Sequence, residues 1–201
     1  MVGDREALPG AVRCAVPHAL TSPWEPGRTP ASGSVRLAGC PDALMVRAEL
    51  SDDEVFTNAT RDSEYFWLLG DVFEMFLEAE GAGFYTEMHV APGSLRLHLK
   101  IRPEDYAAMV AEALTPKDLI VSPPGFESRC ELIPGGWAAE ALIPVELVDP
   151  KGVLSPDSRW QASFCRYNAW KDGRPPELTS TSPYRSPVNF HSRTDWRPLC
   201  F

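Results

Sequence analysis

The sequence predicts an all-β protein: an antiparallel β-sandwich of immunoglobulin-like or jelly-roll-like type, with one short inserted helix. Three observations carry this. Short runs of apolar and polar residues alternate along most of the chain. The 20 prolines among 201 residues, about twice average usage, fall mainly between those runs, as in SPPG at 122–125, LIPGG at 132–136 and GRPPE at 173–177. One segment alone has persuasive helical spacing.

Taken in order, residues 1–34 are turn-rich and predict an irregular arm, followed by one sandwich domain over 35–201. A weak strand near Val35–Leu37 leads into Ala43–Leu50, Asp71–Glu78, Phe84–Ala91, Leu95–Arg102, Phe126–Leu132, Trp137–Ile143 and Arg159–Asn168, with another weak strand at the C-terminus. The helix is PEDYAAMVAEAL at 103–114, with proline and acids in its first turn and Tyr106, Met109, Val110 and Ala113 at helical spacing.

Successive side chains of a strand point to opposite faces. In GDVFEMFLEAEGAGFYTEMHVAPGSLRLHLKIR, from Gly70 to Arg102, this puts Phe73, Met75, Met88 and Val90 on an inner face with Leu97 and Leu99. Leu44, Val46, Ala139 and Phe164 join them from other strands as the expected core. The outer face then gathers Glu74, Tyr85, Glu87, His89 and His98, and the expectation is a shared cleft. Gly93-Ser94 as a two-residue turn pairs His89 with His98 and Val90 with Leu97; a four-residue loop instead pairs Glu87 with His98. Sequence leaves both registers open. The competing expectation is a set of cross-strand ion pairs on a solvated face.

Composition excludes some functions. A net charge of −9 with scattered Lys and Arg argues against nucleic acid as a partner. No apolar run approaches the ~20 residues of a membrane span, and residues 1–30 lack the apolar core of a secretion signal, so the expected place is cytoplasmic, or exported if a signal has been removed. Five cysteines without a CxxC pair argue against zinc held by thiolates. Ser51-Asp52-Asp53-Glu54 and Asp71 are oxygen donors suited to a structural calcium, although a solvated acidic turn is the commoner state; no cofactor is required. GxSxG is absent, and Glu74 and Glu87 have acid–base chemistry without diagnostic spacing. Of six tryptophans, Trp67 and Trp170 sit in segments beside the polar strands, where rings near carboxylates and amides suit a sugar.

The ordered motifs ALMVRAELSDDE, a tryptophan followed by GDVFEMFLE, FYTEMHVAPGS, GWAAEALIP, RWQASFCRYNAW and NFH at 189–191 span about residues 40–201. In that order they resemble the family 9 carbohydrate-binding modules and their stand-alone relatives. The resemblance implies a β-sandwich that binds carbohydrate, a short saccharide or chain end, without cleaving it. It implies Trp67 and Trp170 as aromatics that sandwich the sugar, Glu74 as acidic acceptor, Asn168 as amide partner and Arg166 as guanidinium contact. Tyr85, Glu87 and His89 match a pattern of the stand-alone relatives. Trp67 stands one residue further from Glu74 than the family pattern, and Asp105–Leu114 reads as an insertion. Two alternatives are a haem or electron-transfer domain using Met75, Met88 or a histidine, and a sugar-active enzyme using Glu74, Glu87 and His89.

Overall fold

The computed structural model describes residues 1, 4–25, 30–185 and 187–201. Two antiparallel sheets pack face to face. The first has the order β1 (His18–Ala19), β2 (Gly33–Cys40), β3 (Ala43–Ser51), β8 (Gly136–Pro144), β7 (Glu127–Ile133). The second runs β10 (Glu177–Ser180), β9 (Trp160–Asn168), β4 (Val72–Ala79), β5 (Tyr85–Ala91), β6 (Leu95–Ile101), with β11 (Arg197–Leu199) paired to the start of β9. Two helices, α1 (Leu8–Cys14) and α2 (Pro103–Val110), complete the regular elements beside four short 3₁₀ turns. No helix of the described residues is long and apolar enough to cross a membrane.

The alternation seen in the sequence builds the inter-sheet core. Leu44 and Val46 of β3 and Ala139 of β8 meet Phe73 and Met75 of β4, Met88 and Val90 of β5, and Phe164 of β9, all buried in one cluster. Phe73 and Phe164 lie parallel, with ring centroids 6.3 Å apart.

Two of the ten expected core residues, Leu97 and Leu99, belong elsewhere. They join Val72, Phe76, Tyr85, Phe190 and Trp196 in a second cluster on the far side of the second sheet. The cause is the β5–β6 hairpin. Ala91 pairs with Leu95, so the loop is the three residues Pro92, Gly93 and Ser94, with positive φ at Gly93 (85°) and Ser94 (64°). Glu87 therefore opposes Leu99, Met88 opposes His98 and His89 opposes Leu97. This register lies midway between the two expected ones, and a shift of one residue turns every β6 side chain to the other face.

That far face is covered by the segments around Phe66, α2 and Tyr184–Trp196. The second sheet is thus buried on both sides, and every residue of β4 and β5 is buried. The N-terminal segment is more regular than an arm: Leu8 and Val12 of α1 pack on Cys40, Ala43 and Met45, and β1 extends the first sheet. α2 stops at Val110, short of Leu114; its start is fixed by Pro103 and by Asp105, which accepts from the Arg102 amide at 2.9 Å.

Candidate functional site

On the far face of the second sheet lies a cavity of about 230 Å³. Its floor is Glu74 and Phe76 of β4 and Glu87 of β5; Trp67, Tyr167 and the Asn189–His191 segment form its walls. Trp67 is placed by the 3₁₀ turn Phe66–Leu68 just before β4. Gly70 makes that entry possible, because its φ is +153° and a Cβ there would sit 2.5 Å from the Phe56 carbonyl oxygen.

Glu74 and His89 are directly paired across β4 and β5, and Phe76 pairs with Glu87. The His89 Nε2 lies 2.7 Å from Glu87 Oε1 and 3.5 Å from Glu74 Oε1, so one imidazole nitrogen serves both carboxylates. Glu74 is 3% exposed, Glu87 5% and His89 0%. His191 brings Nε2 to 3.8 Å from Glu87 Oε2, while Tyr85 Oη holds its Nδ1 at 2.9 Å. Tyr106 stacks on the His191 ring and accepts from Asn189 Nδ2 at 2.7 Å. Trp67 stands edge-on to His89 at 5.5 Å and stacks on Tyr65 at 4.8 Å.

Their partners separate the two buried carboxyls. Desolvation pushes Glu74 up to about 8; His89 opposes this and Glu87 adds to it. Glu87 is desolvated too, but His191 and the hydrogen bond from His89 outweigh that and hold it below its ordinary value. His89 is raised, since the two glutamates outweigh its own desolvation.

Of the expected site residues, Trp67, Glu74 and Glu87 line the cavity, and His89 and Tyr85 lie behind them, bonded to lining residues. Four are placed elsewhere. His98 faces the opposite side of the sheet, edge-on to Phe126, as the hairpin register dictates. Arg166 pairs with Phe73 and so points to the inter-sheet side, where it donates to Ser51 O at 2.8 Å, Asp52 Oδ2 at 3.0 Å and Asn168 Oδ1 at 2.6 Å. Asn168 shares that face. Trp170 lies under the Arg174 guanidinium, 3.7 Å from its ring centre, and is not in the cavity wall. Tyr167, one strand position from Arg166, supplies the ring that the cavity does contain.

Tyr167, Phe76, Asn189 and His191 were not assigned roles from sequence. Period-two alternation could have found the first two, since Tyr167 pairs with Val72 and shares the face of Glu74. NFH sits in an irregular loop where periodicity says nothing. In the acidic turn, Asp52 is engaged by Arg166 and the Glu54 amide, and Asp71 accepts from the amides of Phe56 and Ala169.

Neither a protein-family model nor a curated protein sequence matches the chain. Solved structures do. A "putative carbohydrate-binding protein" from Bacteroides uniformis superposes with a TM-score of 0.74 at 17% identity, covering 98% of this chain and 92% of that one. A family 9 carbohydrate-binding module from Caldicellulosiruptor kristjanssonii in complex with glucose gives 0.63 at 11% identity, covering 94% and 85%. One from the same organism in complex with cellotriose gives 0.58 at 14% identity, covering 92% and 79%. At these identities the likeness shows the fold: a β-sandwich of the kind seen in family 9 carbohydrate-binding modules.

Proposed function

We propose that the cavity above β4 and β5 binds a carbohydrate, a short saccharide or chain end, without cleaving it. The observation that carries the reading is Glu74. It is a buried carboxyl facing a cavity, with no hydrogen bond among the described residues and only His89 at ion-pair distance, set between the rings of Trp67, Phe76 and Tyr167. Aromatic rings receive the apolar face of a sugar, and a carboxyl oxygen accepts its hydroxyls. Asn189 and His191 add polar partners at the rim. The cavity is smaller than the ~300–1,000 Å³ of drug-sized sites, which suits a small saccharide. The structural neighbours solved with glucose and cellotriose support this reading.

The glycosidase alternative is less well supported. Glu74 and Glu87 share one imidazole and sit side by side on adjacent strands of the cavity floor, whereas retaining and inverting pairs flank the scissile bond. The haem alternative loses its methionines, since Met75 and Met88 lie in the inter-sheet core.

The test is a glycan array followed by calorimetric titration of the best hits. Saturable binding that Trp67→Ala removes, with no new product after prolonged incubation, supports the proposal. Absence of binding to any glycan, or turnover of the bound one, overturns it.

A further inference from the structure

Glu74, Glu87 and His89 do more than face a cavity. We infer that they form a binding site for one divalent transition-metal ion of the zinc class, with the ion's remaining positions open to the cavity. The three donor atoms lie within 4.8 Å of one another. They come from adjacent strands of one sheet, with Glu74 and His89 directly paired and Glu87 two residues from His89, so the backbone fixes their spacing. Donors projecting from paired strands are held more firmly than donors on loops.

Charge points the same way. Two buried carboxyls, Glu74 at 3% exposure and Glu87 at 5%, share a single imidazole nitrogen, at 3.5 and 2.7 Å respectively. Glu74 makes no hydrogen bond among the described residues and faces the cavity. Burying carboxylates costs several kcal/mol each unless an opposite charge is at hand. A dication placed between the three donors takes the place of the proton that His89 Nε2 and Glu87 Oε1 share and of the one that burial keeps on Glu74, and both leave to solvent.

The donor set selects the ion. One imidazole with two carboxylates suits zinc, manganese or iron(II), whereas calcium and magnesium prefer oxygen alone. His191 and Tyr85 form the outer support. Glu87 Oε2 faces His191 Nε2 at 3.8 Å, and Tyr85 Oη holds His191 Nδ1 at 2.9 Å, which orients the ring toward the carboxylate. The inference shares Glu74 with the sugar reading but is tested apart from it: a protein that takes zinc and no glycan fails only the latter.

The experiment uses the whole chain stripped with chelator, then dialysed against zinc, manganese or calcium chloride, with bound metal counted by mass spectrometry. One zinc per chain is expected, with calcium bound at least 100-fold more weakly. Glu87→Gln and Glu74→Gln should each weaken zinc by at least 100-fold; His191→Ala, a positioning change, should weaken it by about 10–100-fold. Cobalt(II) supplies a second readout: visible d–d bands without thiolate charge transfer place the ion on N and O donors and away from the cysteines. Variants are compared only where circular dichroism shows the wild-type fold; if both glutamine variants unfold, the cobalt spectrum of the wild type decides. No stoichiometric metal, metal retained by folded Glu87→Gln, or a thiolate spectrum would each overturn the assignment.

Discussion

Glu74 and His89 stand directly opposite each other on β4 and β5, both buried, with the imidazole Nε2 3.5 Å from Glu74 and 2.7 Å from Glu87. Because that nitrogen is the nearest positive partner of two buried carboxyls, its loss is not equivalent to the loss of either carboxyl. His89→Leu is expected to destabilise the metal-free fold by about 3–5 kcal/mol, as removal of one partner from a buried charge cluster does. Glu74→Gln should change stability far less, since Glu74 gives up no hydrogen bond among the described residues. Urea melts of the two variants check the order; a His89→Leu protein as stable as wild type would remove the cluster's structural role.

Trp67 and Tyr167 line the same cavity, and Trp170 does not. If a sugar stacks there, Trp67→Ala and Tyr167→Ala should each weaken it by about 1–3 kcal/mol, as loss of an aromatic anchor does, while Trp170→Ala leaves affinity unchanged. Titration calorimetry against one glycan ranks the three. Weakening by Trp170→Ala equal to that by Trp67→Ala would restore the ring pair implied by the family resemblance.

What could be read from sequence followed the strands whose two faces differ. On β3, β4, β5 and β9 the inward residues Leu44, Val46, Phe73, Met75, Met88, Val90 and Phe164 were legible by alternation, and all lie in the inter-sheet core. On β6 both faces are covered: Leu97 and Leu99 are buried on one side and His98 on the other, so polarity no longer marks the core. There the face depends on hairpin length, and the positive φ of a non-glycine residue, Ser94, is not written in composition. Glu74, Glu87 and His89 were legible because β4 pairs with β5 as their alternation requires. Arg166 and Asn168 follow the same rule in reverse, since their even spacing from Phe164 puts them on the inner face.

His98 is 2% exposed, both ring nitrogens lack partners, and it faces the Phe126 ring, with Met88 opposite and Lys100 two residues along the strand. Desolvation, with Lys100 adding, lowers it from 6.5 to about 4. Its depressed value means that the unfolded chain takes up a proton first as pH falls. Its contribution is fully present above pH 6.5 and is lost progressively down to about pH 4, by about 3 kcal/mol in all. His98→Met should flatten that part of the stability profile and raise stability near pH 4.5 relative to wild type. Parallel pH profiles for the two proteins between pH 7 and 4 would show that His98 does not titrate this way.

Arg166 is the most deeply buried arginine among the described residues, at 0% exposure, and it ties the sheets together at one end. From β9 it donates through Nη1 to the Ser51 carbonyl at the end of β3 and through Nη2 to Asp52 just beyond and to its second-sheet neighbour Asn168. Asn168 in turn reaches Glu177 at 3.5 Å, and Glu177 accepts from the Ala31 amide at 2.9 Å, so the guanidinium anchors a chain of polar contacts. Replacing it with methionine keeps an unbranched apolar stem but removes the guanidinium and strands the Asp52 carboxylate, whose side chain is fully buried. A loss of about 3–5 kcal/mol is expected, the cost of an uncompensated buried charge. Arg166→Lys should recover only part, because an ammonium cannot present the planar fork that reaches Ser51 and Asp52 together. Arg166→Met with Asp52→Asn should recover more than Arg166→Met alone, since the stranded charge is then gone. Sugar affinity, measured below the melting transition, should not change in any of these, since the guanidinium lies on the opposite face of the sheet from the cavity. A folded Arg166→Met protein with unchanged stability and tenfold weaker sugar binding would reverse the assignment and return Arg166 to the binding site.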